Sequence, residues 1–236
     1  LNKKTQFHIR SYVPFFFLIL SFMFFKVKYI FDMRGFWPQE KVDRSNWGKK
    51  GILFNFFTLF EKIIISKSHK IICLTNQSID ILINKYPNIY KLKYICVRTC
   101  VDTKRFYPRN KKLDLKRLTM GYLGTTVGAY NFNKVLKFYK RILKYNKNIF
   151  FDIITNDNHN KIISQLKNEK LDLSLVVIKS SSYKDINYHL NKIDFGIFFL
   201  NENESIKASF PTKIAEFFAC NKPIICNKFN NDVKSV

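Results

Sequence analysis

Residue types that bind phosphate and sugar stand close together in one stretch, Ser209 to Ile225, which reads SFPTKIAEFFACNKPII. A polar loop runs into a short helix, the helix ends at Asn221, and Lys222-Pro223 launches an apolar strand. Pro211 suits a first helical turn, where its missing N–H is not needed. Ser209 or Thr212 can cap that end, whose free N–H groups carry partial positive charge and favour phosphate. Lys213 adds a cation beside it. Glu216 follows about one turn later, on roughly the same face, and can accept hydrogen bonds from a sugar diol. One element thus offers a pyrophosphate cradle and a ribose anchor.

This stretch resembles the donor-site signature of glycosyltransferase family 4, retaining enzymes of the GT-B fold, in the version S-x-P-T-K-x-x-E-x-x-A-x-G-K-P-V-I. The resemblance implies a nucleotide-sugar donor, with Glu216 on the ribose and Lys213 and the loop amides on the diphosphate. Asn221 takes the place of the usual Gly and tolerates the left-handed conformation expected at a helix end. Ala208 stands where many members carry a first Glu, eight positions before Glu216. The P-T-K subgroup often lacks that Glu, so a two-Glu motif is not carried over.

Further segments from about His8 to Asp232 bear the same resemblance more weakly. FHIRSYVP and IFDMRG resemble the first-domain strand and loop segments of the subgroup. They imply that His8, Arg10 and Arg34 line a cleft and meet acceptor or donor phosphate. The alternative is structural: Asp32 and Arg34 form an ion pair and His8 is a core histidine. GYLGTTVGAYN, Gly121 to Asn131, resembles the first strand and loop of the second domain. There Gly124 and Gly128 would let the backbone approach phosphate, and Thr125 and Thr126 would offer hydroxyls and amides. No basic residue occurs between Gly121 and Asn133, where many members place phosphate-clamping Arg and Lys. Val101, Asp102, Phe106 and Pro108 match the family's hinge segment, to which no chemistry is assigned. Tyr183 falls in a segment that approaches the nucleotide base, with core packing as the alternative.

The 236 residues suffice for one large or two small domains, and 47% hydrophobic with 25% charged residues is globular. The net charge of +24 favours anionic partners, although a Lys-rich and Gly-poor composition also fits a solvated basic surface. Five cysteines with no C-x-x-C pair suit a reducing compartment better than a disulfide scaffold. The apolar run Val13 to Phe25, about 13 residues, falls short of the roughly 20 that span a bilayer and is expected to be a buried helix. No His, Cys and Asp spacing suits zinc, and no nucleophile elbow or Walker lysine is present. The aromatics lie mostly in apolar strands and helices, which argues against binding single-stranded nucleic acid.

The elements that must position these residues alternate strand and helix almost throughout, which predicts parallel sheets covered on both faces. GFWPQEKVDRSNWGKK reads as a polar loop, and Ile52 to Ser66 as a helix that is apolar all round and well buried. The alternation breaks from Arg98 to Lys116, as at a linker. The expected fold is α/β with two Rossmann-like domains of the GT-B type: residues 1–100 as a partial acceptor-side domain, and 101–236 as the nucleotide-sugar-binding domain. The chain opens on Leu1 and closes after an apparent strand and turn. It is expected to be an internal piece of a longer enzyme, inactive by itself.

The resulting expectation is a retaining glycosyltransferase that moves a sugar from a nucleotide-diphosphate-sugar to a hydroxyl acceptor, a sugar or a lipid-linked one, in surface polysaccharide or glycolipid assembly. No metal or cofactor is expected. The setting is cytoplasmic, peripheral at an anionic membrane surface, without nucleic acid as a partner. The alternatives are a nucleotide-sugar epimerase of the same fold and a non-enzymatic, basic membrane-peripheral module.

Overall fold

The computed structural model describes residues 6–17, 28–44, 46–49, 51–109, 114 and 117–235. The chain forms two compact units: Leu1–Thr99 with Glu202–Phe210 and Lys228–Val236, and Cys100–Asn201 with Pro211–Asn227.

In the first unit, β1 (Gln6–Arg10), β2 (Lys28–Met33), β3 (Lys70–Cys73) and β4 (Tyr94–Cys96) form a parallel sheet in that order. The register sets Arg10 beside Asp32, so the carboxyl ends of β1 and β2 carry their charged residues together. Residues 12–17 are helical; the rest of the expected helix to Phe25 lies outside the described residues. Helix α1 (Trp37–Asp43) occupies part of the segment read as a polar loop. Pro38 in its first turn starts it, and Gln39 donates to Asp43 one turn on (2.9 Å). Seven residues starting at a Pro carry too little periodicity to show as a helix.

Helix α2 (Ile52–Lys67) corrects a second expectation. It is not buried all round: Phe60, Glu61, Ile64 and Ile65 face the core, while Ile52, Leu53, Phe56 and Leu59 are exposed. Glu61, 1% exposed, accepts hydrogen bonds from Tyr12 (2.6 Å), Tyr86 (2.8 Å) and Lys85 (2.8 Å). That network satisfies a carboxylate that would otherwise be costly to bury. Helix α3 (Asn76–Lys85) has Thr75 as its N-cap, accepting from the Ser78 amide. Asp232 accepts from the Asn76 and Gln77 amides, at 2.8 and 3.0 Å, so this helix start is already occupied.

In the second unit, β5 (Leu118–Leu123), β6 (Ile149–Ile154), β7 (Val176–Lys179), β8 (Phe195–Phe198) and β9 (Ile224–Cys226) form a parallel sheet in the order β7-β6-β5-β8-β9. The chain thus works outward from β5 in one direction and then returns to its other side. This is the doubly wound order, whose switch point lies between β5 and β8, and ligands bind beyond the strand carboxyl ends there. The helices are α4 (Phe132–Ile142), α5 (His159–Asn168), α6 (Ile186–Lys192) and α7 (Thr212–Ala219). Leu123, Ile154, Leu190, Ile193, Phe217 and Cys220 pack one core cluster that ties α6 and α7 to the sheet.

Candidate functional site

Helix α7 begins at the switch point of the second unit. Its C-terminal end closes as the sequence predicts: Asn221 is left-handed (φ 54°), and the amides of Asn221 and Lys222 return to the carbonyls of Phe218 and Phe217, both at 2.9 Å. Its N-terminal end differs. The N-cap is Pro211, and no side chain caps the helix. The Ser209 amide turns back to the Ile206 carbonyl, and the exposed Thr212 side chain makes no capping bond. Proline without an N–H and with a fixed φ starts the helix, so neither hydroxyl is needed. The first-turn amides therefore meet no side-chain acceptor and carry the positive end of the helix dipole.

Lys213 projects from this turn into the sheet. It is 6% exposed, and its Nζ donates to the Leu123 carbonyl at the end of β5 (2.6 Å). Three rings surround the ammonium: Tyr130 with its centroid at 3.7 Å, Tyr122 at 5.0 Å and Phe198 at 5.2 Å. Rings attract a cation, but one hydrogen bond does not replace the water that an ammonium loses. Burial accordingly lowers the Lys213 pKa to about 7, against an opposing pull from Glu216. Glu216 is 8% exposed and makes no hydrogen bond or close ion pair among the described residues. Burial pushes its pKa up, and Lys213 pulls it down. Glu216 is thus a buried residue with no hydrogen bond to its carboxylate among the described residues, one turn from a buried lysine whose charge it partly favours.

The Gly-containing loop after β5 lies beside this pair. Gly124 has φ +99°, and a Cβ placed there would lie 3.5 Å from the Lys213 Nζ. Lys213 thus lies at ordinary contact distance from the loop, and it is the left-handed φ of Gly124, not lack of room, that favours glycine there. The hydroxyls of Thr125 and Thr126 and the Thr126 amide all donate to Asp157, at 3.0, 2.7 and 2.6 Å. Burial tends to raise the Asp157 pKa, but these bonds outweigh it and hold the carboxyl below its usual range. The hydroxyls expected on a ligand, those of Thr125 and Thr126, and the Thr126 amide are thus engaged by a neighbouring loop.

The structure brings Lys213, Glu216, Gly124 and Thr125 to one end of the second sheet. Tyr183 lies in the loop after the carboxyl end of β7 in the same unit, exposed, beneath the Arg105 guanidinium (4.8 Å) and beside Phe106. Ser209 belongs to the first unit, as do His8, Arg10 and Arg34. There His8 and Arg34 flank Asp32, at 3.6 and 4.0 Å. The His8 side chain is 58% exposed, so it is not a core histidine. One Asp32 oxygen is buried without a hydrogen bond. Sequence reasoning missed Tyr122, Tyr130, Phe198 and Asp157. Tyr122 and Phe198 stand near the carboxyl ends of the two switch-point strands, whereas Tyr130 and Asp157 come from loops after β5 and β6. Among the described residues no group of three His, Cys, Asp or Glu could hold a metal ion.

The sequence matches no family profile and no curated protein. Solved structures do match in shape. Sucrose-phosphate synthase from Thermosynechococcus elongatus superposes with a TM-score of 0.68 over 98% of this chain and 58% of its own, at 12% identity. WaaG, a glycosyltransferase involved in lipopolysaccharide biosynthesis, gives 0.65 over 91% of this chain and 63% of its own, at 10% identity. S. aureus TarM, solved with fondaparinux, α-GlcNAc-glycerol and UDP, gives 0.59 over 86% and 37%, at 11% identity. The fold is that of the GT-B glycosyltransferases. The chain spans between 37% and 63% of the length of these three.

Proposed function

We propose that this chain is the donor-binding part of a retaining glycosyltransferase of family 4, which transfers a sugar from a nucleoside-diphosphate sugar to a hydroxyl acceptor in surface polysaccharide or glycolipid assembly. The observation that carries this reading is the pair at the start of α7: Glu216, a buried residue whose carboxylate has no hydrogen bond among the described residues, and Lys213, buried among three rings. Lys213 and the uncapped helix amides would hold the diphosphate and stabilise the charge it gains as the glycosidic bond breaks. Glu216 would accept from the ribose hydroxyls. Ligand phosphate supplies the counter-charge that Lys213 lacks, and ribose hydroxyls supply the donors that Glu216 lacks.

Calorimetric titration of the protein with nucleoside and nucleoside diphosphate tests this. Glu216→Gln should weaken both ligands by about tenfold to a hundredfold, since hydrogen bonds to charged groups contribute about 1.5–3 kcal/mol. Lys213→Ala should weaken the diphosphate more than the nucleoside. Wild-type binding of both ligands by either variant would remove the assignment.

The acceptor, on the same proposal, is a lipid-linked sugar at an anionic membrane. The exposed apolar face of α2, with Ile52 90% exposed, supports this together with the net charge of +24. So does the neighbouring turn at 12–17, where Phe17 is 76% exposed and Phe16 rests against Phe60 of α2. Apolar side chains on a basic protein suit the boundary between head groups and acyl chains. No helix among the described residues is long and apolar enough to cross a membrane.

A further inference from the structure

Segment 102–109 of the second unit is laid along α6 by two buried asparagines. Asn187 accepts from the Tyr107 amide (3.2 Å), and Asn191 accepts from the Arg109 amide (2.6 Å). Asn191 also donates to the Tyr107 carbonyl (3.0 Å) and to the Asn187 carbonyl (2.8 Å). Phe106, 1% exposed, anchors the same segment in the core. The backbone is therefore fixed beside a cavity of about 640 Å³ bordered by this segment and the start of α6.

Four cations line that cavity, Lys104, Arg105, Arg109 and Lys184, against two carboxylates, Asp102 and Asp185. Both carboxylates are engaged locally: Asp102 accepts from the Lys104 amide, and Asp185 from the Ser182 hydroxyl. None of the four cations forms an ion pair among the described residues. The guanidiniums are not free-floating. Arg105 lies over the Tyr183 ring at 4.8 Å, and Arg109 lies over Tyr107 at 5.4 Å and donates to its hydroxyl (3.1 Å). Stacking holds the planar groups while leaving N–H donors for a bidentate acceptor. Four cations against two carboxylates leave an excess of positive charge, and a bound polyanion relieves the repulsion within it.

We propose that this cavity is a second anion site, distinct from the pair at Lys213 and Glu216, which takes a phosphate ester or pyrophosphate group, free or carried on a lipid head group. Its volume lies within the range of small-molecule sites. It shares no side chain with the donor pair. A link between them runs through Asn187, whose Oδ1 also accepts from the Cys220 thiol at the end of α7 (3.2 Å).

The test is calorimetric titration with inorganic pyrophosphate of wild type, Lys213→Ala, the double variant Arg105→Gln/Arg109→Gln, and Lys184→Gln, with circular dichroism confirming folding. The expected result is binding that survives Lys213→Ala and weakens by about tenfold or more in the double variant, and measurably in Lys184→Gln. Unchanged binding in the double variant overturns the site, whatever Lys213→Ala does. Loss of all pyrophosphate binding in Lys213→Ala also overturns it, because a single site at α7 then explains everything. A parallel arm uses phosphatidic acid vesicles: a component of vesicle binding removed by Arg105→Gln/Arg109→Gln assigns the head group, and pyrophosphate binding without such a component assigns the free ester. If wild type binds neither pyrophosphate nor the vesicles, the proposal is overturned.

Discussion

A lysine whose ordinary pKa of 10.5 falls to about 7 on burial would make the proposed donor binding pH-dependent, and the sign can be worked out. In the free protein at pH 8 most Lys213 side chains are neutral. A diphosphate beside Nζ favours the ammonium, so binding takes up a proton. Affinity should then fall by up to about tenfold per pH unit above about 7. Titrations in buffers of different ionisation enthalpy would reveal the proton uptake. Equal apparent heats in all buffers, or a flat affinity from pH 7 to 9, would sink the idea. Linkage gives the converse for the unliganded fold. Between about pH 7 and 10.5 the unfolded chain holds more protons on this residue than the folded one. Stability from Lys213 therefore rises with pH through that window, and the full penalty stands below it. Lys213→Met should remove both effects. The helix start that places the lysine and the glutamate was legible in the sequence, because Pro211 opens a short apolar-faced segment that Asn221 closes. The ring box was not, since Tyr122, Tyr130 and Phe198 come from separate elements and only the folded sheet brings them around one ammonium.

Strands read clearly at the element scale because parallel strands buried on both faces form short, continuous apolar runs bounded by polar turns. Helices read well where caps and length agree, as for Asn76–Lys85 behind Thr75. They failed where the pattern was ambiguous: α1 is short and starts at a proline, and α2 is apolar on more sides than the protein covers. The size of Ile193, fully buried, has a packing explanation. A Cβ on Gly121 of β5 would run into the Ile193 side chain, so the larger residue fills the space that glycine leaves. Gly121→Ala should cost about 1–3 kcal/mol by overpacking. Ile193→Ala alone should also destabilise, by about 2–5 kcal/mol, through a cavity. Combined, the two should cost less than their sum by about 0.5–3 kcal/mol, because each change relieves the other. Denaturant unfolding of the four proteins gives the coupling directly. Strict additivity would show that Ile193 does not depend on the missing Cβ.

For the whole molecule, alternation and the break after Arg98 are local signals. The return of Glu202–Phe210 and Lys228–Val236 to the first unit is not local. Those segments are held by tertiary bonds, such as Asp232 on the Asn76 amide and the Ser205 amide on Asp43, which no periodicity encodes. The net charge of this chain is read directly from its sequence, and it sets the final prediction. A net charge of +24 attracts anionic head groups over about a Debye length, with on the order of 1 kcal/mol for each Lys or Arg held near the surface. Charge alone gives weak binding that salt abolishes. The exposed apolar face of α2 adds a contribution that salt does not screen. Co-sedimentation should therefore show binding to vesicles rich in phosphatidylglycerol, reduced but not eliminated as salt rises. Phe56→Glu should remove the salt-resistant part and leave the salt-sensitive part, because Phe56 is exposed and its replacement leaves the core intact. Equal binding to neutral vesicles would assign the attachment to the apolar face without charge. No binding to either kind would leave the lipid-linked acceptor without support. A stronger preference for RNA or DNA over vesicles at matched salt would mean that the basic surface serves nucleic acid instead.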